Sequence, residues 1–155
     1  MATDPDRFGP LHDPAVRSQQ LGTHEIFIEG DIVFQRAHGT TTLADTQEMF
    51  ALCNEVYERY GYVLVLIDSS QGGMATPEAR KYQSSVLRQR RYPSHSAIFG
   101  STLLGRAGVI LMTRATELIT GSKLFVDLVA DEATARKILT EARERFVAQG
   151  IAKPR

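Results

Sequence analysis

The hydrophobic pattern begins at His24. Glu25-Ile26-Phe27-Ile28-Glu29 is a short run rich in β-formers, stopped by Gly30-Asp31. Ile32 to His38 is a second such run, and two runs split by a Gly-Asp pair predict an antiparallel hairpin. Gly39-Thr40-Thr41-Thr42 breaks the strand pattern. A helix is predicted from Thr42 to Tyr60, because Met49, Phe50, Cys53, Val56, Tyr57 and Tyr60 recur at steps of three and four. Thr42 suits the N-cap, Asp45 the reciprocal capping position, and Gly61 the C-terminal stop. Tyr62 to Ile67 is continuously apolar and ends at Asp68, the mark of a central strand covered on both faces.

Ser69 to Ala75 then reads as a loop with two glycines. Thr76-Pro77-Glu78 reads as an N-cap, a first-turn proline and a first-turn acid, opening a helix that runs to about Arg91 before Tyr92-Pro93. Ser96 to Gly100 is a short strand. Leu103 to Thr120 is a helix with Leu104, Gly108, Leu111, Ala115 and Leu118 on one stripe. Lys123 to Val129 is the last strand. Asp131 caps a final helix whose Ala135, Ile138, Leu139, Ala142 and Phe146 share a face. The order ββαβαβαβα predicts a mixed, mostly parallel sheet of about five strands with flanking helices. Residues 1–23 carry Pro5, Pro10 and Pro14 and no periodicity, and read as an arm. Residues 24–149 form the domain and 150–155 a tail.

Composition narrows the function classes. Eighteen basic residues balance eighteen acidic ones, which argues against a dedicated nucleic-acid binder. The single Cys53 excludes an intrachain disulfide framework, and the four histidines lack metal-binding spacing, so neither metal nor cofactor is expected. No apolar run reaches the roughly 18–20 residues of a membrane span, and no signal-like segment opens the chain, so a cytoplasmic domain is expected. No nucleophile elbow, P-loop or dinucleotide fingerprint is present, and a non-enzymatic role is expected.

Three places resemble the SpoIIAA-like (STAS/Sec14-type) family of small bacterial proteins. They are the hairpin leading through Gly39-Thr40 into the first long helix, the Val63–Ile67 strand ending in Asp68, and Leu124-Phe125-Val126-Asp127 followed by Asp131-Glu132-Ala133. The resemblance covers roughly residues 24–146. It implies a STAS-like fold and a regulatory or protein-interaction role. Anti-sigma-factor antagonists of that family carry an Asp-Ser-Ser-Gly-Leu type motif with a phosphorylated serine at a helix start. Here Asp68-Ser69-Ser70 stands at the strand end, and Gln71 replaces the glycine. Thr76 is the hydroxyl nearest the family's phospho-acceptor position.

Candidate residues follow. Thr76, Ser69 and Ser70 are phospho-acceptor or anion-site candidates, or plain cap and turn residues. Asp68, Gly72 and Gly73 with Arg80, Lys81, Arg88 and Arg91 form the candidate partner surface. The four basic residues fall within an arc of about 100° on the second helix, away from Ala79, Tyr82 and Val86. An acidic partner, an anionic lipid or a nucleic acid would suit that stripe, and an ordinary solvated helix face is the alternative. The apolar third helix admits three readings: burial on the sheet, an interface between copies, or the wall of a lipid-sized pocket. The partners to consider are therefore another protein (a kinase or regulator among them), a second copy of the chain, or a lipid. A small apolar-ligand carrier and a homo-oligomeric scaffold are the alternatives to the regulatory module.

Overall fold

The computed structural model describes residues 18–89 and 92–154. Its elements are β1 (Ser18–Leu21), β2 (His24–Glu29), β3 (Ile32–Thr41), α1 (Leu43–Tyr60), β4 (Val63–Ala75), α2 (Pro77–Gln89), β5 (Ser94–Phe99), α3 (Leu103–Thr120), β6 (Val126–Val129) and α4 (Glu132–Ala148). One sheet holds the strands in sequential order, β1 to β6. β1, β2 and β3 pair antiparallel, and β3 through β6 pair parallel. This is the mixed, mostly parallel α/β architecture that the element order predicts, with a sixth strand.

That sixth strand is β1. Residues 18–21, expected in the arm, pair with His24–Phe27, and Gly22 turns the chain at φ +59°. Leu21 is buried, and with it the strand gains an apolar anchor beside Ile26 and Leu52. The rest of the expected arm, residues 1–17, lies outside the described residues, as do Arg90, Arg91 and Arg155.

Alternation along the strands separates two cores. Ile26, Ile28, Val33 and Val63 face α1, against Leu52, Cys53 and Val56. Ile32, Phe34, Leu64, Leu66 and Ala97 face α4, against Ala135, Leu139, Ala142 and Phe146. Each strand of the parallel part steps to the next position in the same direction. Right-handed crossovers then place α1, α2 and α3 on one face and leave α4 alone on the other.

The caps form as the sequence predicts. Thr42 Oγ1 accepts from the Asp45 N–H while the Asp45 carboxylate accepts from the Thr42 N–H, at 3.2 and 2.8 Å. Asp131 caps α4 by accepting from the Thr134 N–H at 2.8 Å, and that bond holds its carboxyl below the ordinary range. Charged clamps fix α4 to the β2–β3 turn. Arg143 binds the Asp31 carboxylate through two bonds of 2.6 Å, and Tyr62 donates its hydroxyl to the same carboxylate at 2.6 Å. Arg136 grips Glu29 at 2.6 and 3.1 Å. At the far edge, buried His95 bridges Asp127 of β6 at 2.6 Å and Arg145 of α4 at 3.0 Å.

Three expectations are corrected. Ser69–Ala75 is not a loop: β4 continues through it, paired with β3 as far as Thr41↔Ala75 across two register shifts. The Gly39–Thr41 break is likewise absent, because β3 runs through it. Glycine disfavours strands, but the two segments satisfy each other's backbone groups, and this pairing outweighs local preference. The third helix is also not buried by its leucines. Leu104, Leu111 and Leu118 are 81%, 72% and 86% exposed, while Thr116 and Thr120 point inward.

Candidate interaction surface

The carboxyl ends of the parallel strands carry most of the residues singled out from the sequence. β5 ends at Phe99, opposite Asp68. From Ser69 onward β4 therefore has β3 on one side and no strand on the other. Gln71, Gly72, Gly73 and Met74 are all exposed there, Met74 at 73%. Backbone N–H and C=O groups along such an edge are open to another chain.

The glycines in this ribbon have steric reasons. A Cβ on Gly73 would stand 3.0 Å from the Gly39 carbonyl carbon, and one on Gly72 would stand 3.1 Å from the Ala37 Cβ. Gly100, at φ +76°, lets the β5–α3 turn pass against Ser70, whose Cβ a side chain there would meet at 3.0 Å. Gly72 and Gly73 are thus the residues that let two strands lie close beyond the sheet.

The three candidate hydroxyls have different surroundings. Ser69 Oγ donates to the Phe99 carbonyl at 3.0 Å and touches Ser101 Oγ at 2.6 Å. Thr76 Oγ1 accepts from the Ala79 N–H at 3.2 Å as the α2 cap, and its own N–H donates to the Thr41 carbonyl, closing the ribbon. Ser70 is exposed. Its Oγ and N–H both donate to one Asp68 oxygen, at 2.7 and 3.0 Å.

A charged ladder that the sequence pattern left unread runs across the strands beside this edge. Glu25, Arg36 and Asp68 are direct cross-strand partners. Arg36 lies 3.6 Å from Glu25 and 3.8 Å from Asp68, over the rings of Phe27 and Phe34. His38, two residues on and so on the same face, contacts Glu25 at 3.1 Å through Nε2 and Gln71 at 3.0 Å through Nδ1. Glu25 only accepts, so Nε2 carries a proton toward it. The signal was the period-two pairing of Arg36 and His38, which reads as an ordinary polar strand end until the register is known.

On the other side of the ribbon, α2 carries Arg80, Lys81 and Arg88, all exposed, opposite buried Ala79 and Val86. Arg80 donates to the Ala75 carbonyl at 2.7 Å, tying the basic face to the ribbon's end. Arg91 of the expected stripe lies outside the described residues. The structure thus brings Asp68, Ser69, Ser70, Gly72, Gly73, Thr76 and Arg80 into one region, with Lys81 and Arg88 further along the helix.

Cys53 is buried, which pushes its thiol up to about 12; a thiol held that far up stays protonated and is a poor nucleophile. Among the described residues, no cluster of histidine, cysteine and carboxylate side chains has the arrangement to hold a metal. None of their helices is long and apolar enough to cross a membrane. A groove of about 270 Å³ lies between α3 and β6, lined by Val109, Ile110, Leu124, Val126 and Leu128 with Arg114 and Glu117.

The chain is similar to a solved SpoIIAA-like structure. That neighbour is an uncharacterized protein of the DUF3478 family from Shewanella loihica PV-4, described as having a SpoIIAA-like fold. The likeness has a TM-score of 0.49 at 16% identity, and it covers 79% of this chain and 90% of that one. No family model matches the chain, and no curated protein matches it.

Proposed function

We propose that this chain is a non-enzymatic protein-interaction module of STAS type, which receives an extended, acidic segment of a partner protein along the free edge of β4. The observation that carries this reading is the open edge from Gln71 to Met74, beyond the end of β5. Strand addition uses such an edge: main-chain bonds supply affinity and flanking side chains supply choice. Arg80, Lys81 and Arg88 favour an acidic segment and would speed its encounter. Ser70 is the hydroxyl that a kinase reaches most readily, since it is exposed while Ser69 and Thr76 are half-buried. A phosphate on Ser70 would stand beside the Asp68 carboxylate and repel it, so modification would loosen this corner.

The test is affinity capture from host-cell extract with the wild-type chain and the R80E/K81E/R88E variant side by side, followed by hydrogen exchange on the complex. The expected result is a partner with an acidic stretch, lost from the variant, and slowed exchange at residues 71–74. A partner held equally by both chains, with no slowing at those amides, refutes the reading.

A second reading, carriage of a small apolar ligand, is favoured by the groove between α3 and β6. Native mass spectrometry of gently purified protein decides it. A lipid-sized adduct removed by solvent extraction supports carriage, and the bare chain mass counts against it.

A further inference from the structure

We infer that α3 is the contact helix of a symmetric homodimer, in which two copies of α3 pack antiparallel along their exposed leucine stripes. The inference concerns a different face from the β4 edge and stands independently of it.

Leu104, Leu111 and Leu118 recur at seven-residue spacing, the repeat of a helix–helix seam. In the single chain they face solvent, with Leu103 beside them at 86% exposure. Ile119 flanks the same side at 57%, while Ile110 turns toward the groove beside β6. At on the order of 150 Å² for a fully exposed side chain, these five residues present roughly 570 Å² of apolar surface, a patch large enough to mark an interface. A standard interface takes about 800 Å² from each partner. The patch therefore supplies most of what a stable dimer needs before any rim contact is counted.

Gly108 is a separate observation. It lies inside the helix, where glycine is the least favoured residue except proline. No intrachain contact asks for it, because a Cβ there meets nothing within 4 Å. It is exposed on the leucine stripe, as is Ala115. Small residues at a seam let two helix axes approach closely. A two-fold axis between Leu111 and Met112 sets Gly108 against Ala115 of the second copy. The same axis sets Leu104 against Leu118 of that copy to within one residue. Both the glycine and the stripe then have a use that the single chain does not give them. The face carries one charge, Arg114, and no acid, so an apolar self-match fits it better than a charged partner.

The test is sedimentation equilibrium of the full chain from about 1 to 200 µM, with Leu111→Glu and Gly108→Leu as variants, each checked by circular dichroism for retained fold. The expected result is reversible dimerisation, weakened about 30-fold or more by either substitution, the scale of a central interface residue. Gly108→Leu is the decisive variant, because it adds apolar surface and meets open space within its own chain. A 17.2 kDa monomer throughout overturns the proposal. So does a dimer that both variants leave intact, and so does a monomer that instead binds phosphatidylcholine/phosphatidylglycerol vesicles through this helix. Loss of dimerisation in the α3 variants with undiminished partner capture would leave the β4-edge reading standing.

Discussion

Arg143→Ala removes two of the three donors that hold Asp31, a carboxylate only 7% exposed. Tyr62 alone then remains, at 2.6 Å. Taking away one partner of a buried ion pair costs about 3–5 kcal/mol, because the remaining charge is left uncompensated. Arg143 keeps about a third of its own side chain in solvent, and water screens part of the attraction, so the expected loss is about 2–3 kcal/mol. With a urea slope of about 2 kcal/mol/M for a domain of this size, the midpoint falls by about 1–1.5 M. The double-mutant cycle with Asp31→Asn isolates the pair. Coupling of about 1 kcal/mol or more is expected, since the two side chains share one bidentate contact. A midpoint shift under about 0.3 M would refute the reasoning. It would mean that the packing of Leu139, Ala142 and Phe146, with the Arg136–Glu29 pair, holds α4 and that the Arg143 clamp only orients it.

Three further outcomes are expected. Gly22→Ala places a Cβ into the Asp45 carboxylate and demands a left-handed residue at the β1–β2 turn; it should cost about 1–3 kcal/mol, and an unchanged melting temperature would show that β1 is not seated on the α1 cap. Native Cys53 should resist Ellman's reagent until the chain is unfolded in urea, because its thiol is buried and held up to about 12; labelling at the rate of a free thiol would show that the α1 face opens. Burial first, and then the Asp31 carboxylate, push the Tyr62 hydroxyl above its ordinary range. Its folded value lies above its unfolded value of about 10, so its contribution is full below pH 10 and fades as pH rises further; wild type and Tyr62→Phe should converge in stability above that pH, and a constant gap to pH 11.5 would sink the assignment.

The parts of the fold written in local chemistry were legible. Thr42 with Asp45, and Thr76 with Pro77, announce helix starts because capping needs only residues three apart. The α4 face was legible because Ala135, Leu139, Ala142 and Phe146 repeat at helical spacing and do face the sheet. β1 was not legible, since Ser18-Gln19-Gln20-Leu21 has a single apolar residue and becomes a strand through its partner. The ends of β3 and β4 were hidden for the same reason. Gly39, Gly72 and Gly73 read as breakers, yet each segment supplies the other's hydrogen bonds. At the candidate surface, the basic face of α2 was visible as a stripe. The Glu25–Arg36–Asp68 ladder was not, because cross-strand partners are set by register, which no single strand records.

The orientation of α3 follows from the sheet rather than from the helix. Right-handed crossovers carry α3 to the edge occupied by β6. β6 has four residues, about 13 Å of strand, while α3 has eighteen, about 27 Å of helix. The helix therefore overhangs what it can cover. A leucine stripe turned inward would find only Val126 and Leu128 of that strand, whereas threonines there can return their hydroxyls to the helix backbone, as Thr120 does to the Thr116 carbonyl at 2.8 Å. The same mismatch leaves the groove beside Val109 and Ile110 open and the stripe of Leu104, Leu111 and Leu118 in water. Extending β6 by design, with apolar residues on the α3 side, should draw the helix down onto the sheet. If α3 serves as a contact between copies, that change should strengthen the fold and weaken association together, which separates an interface from a packing defect.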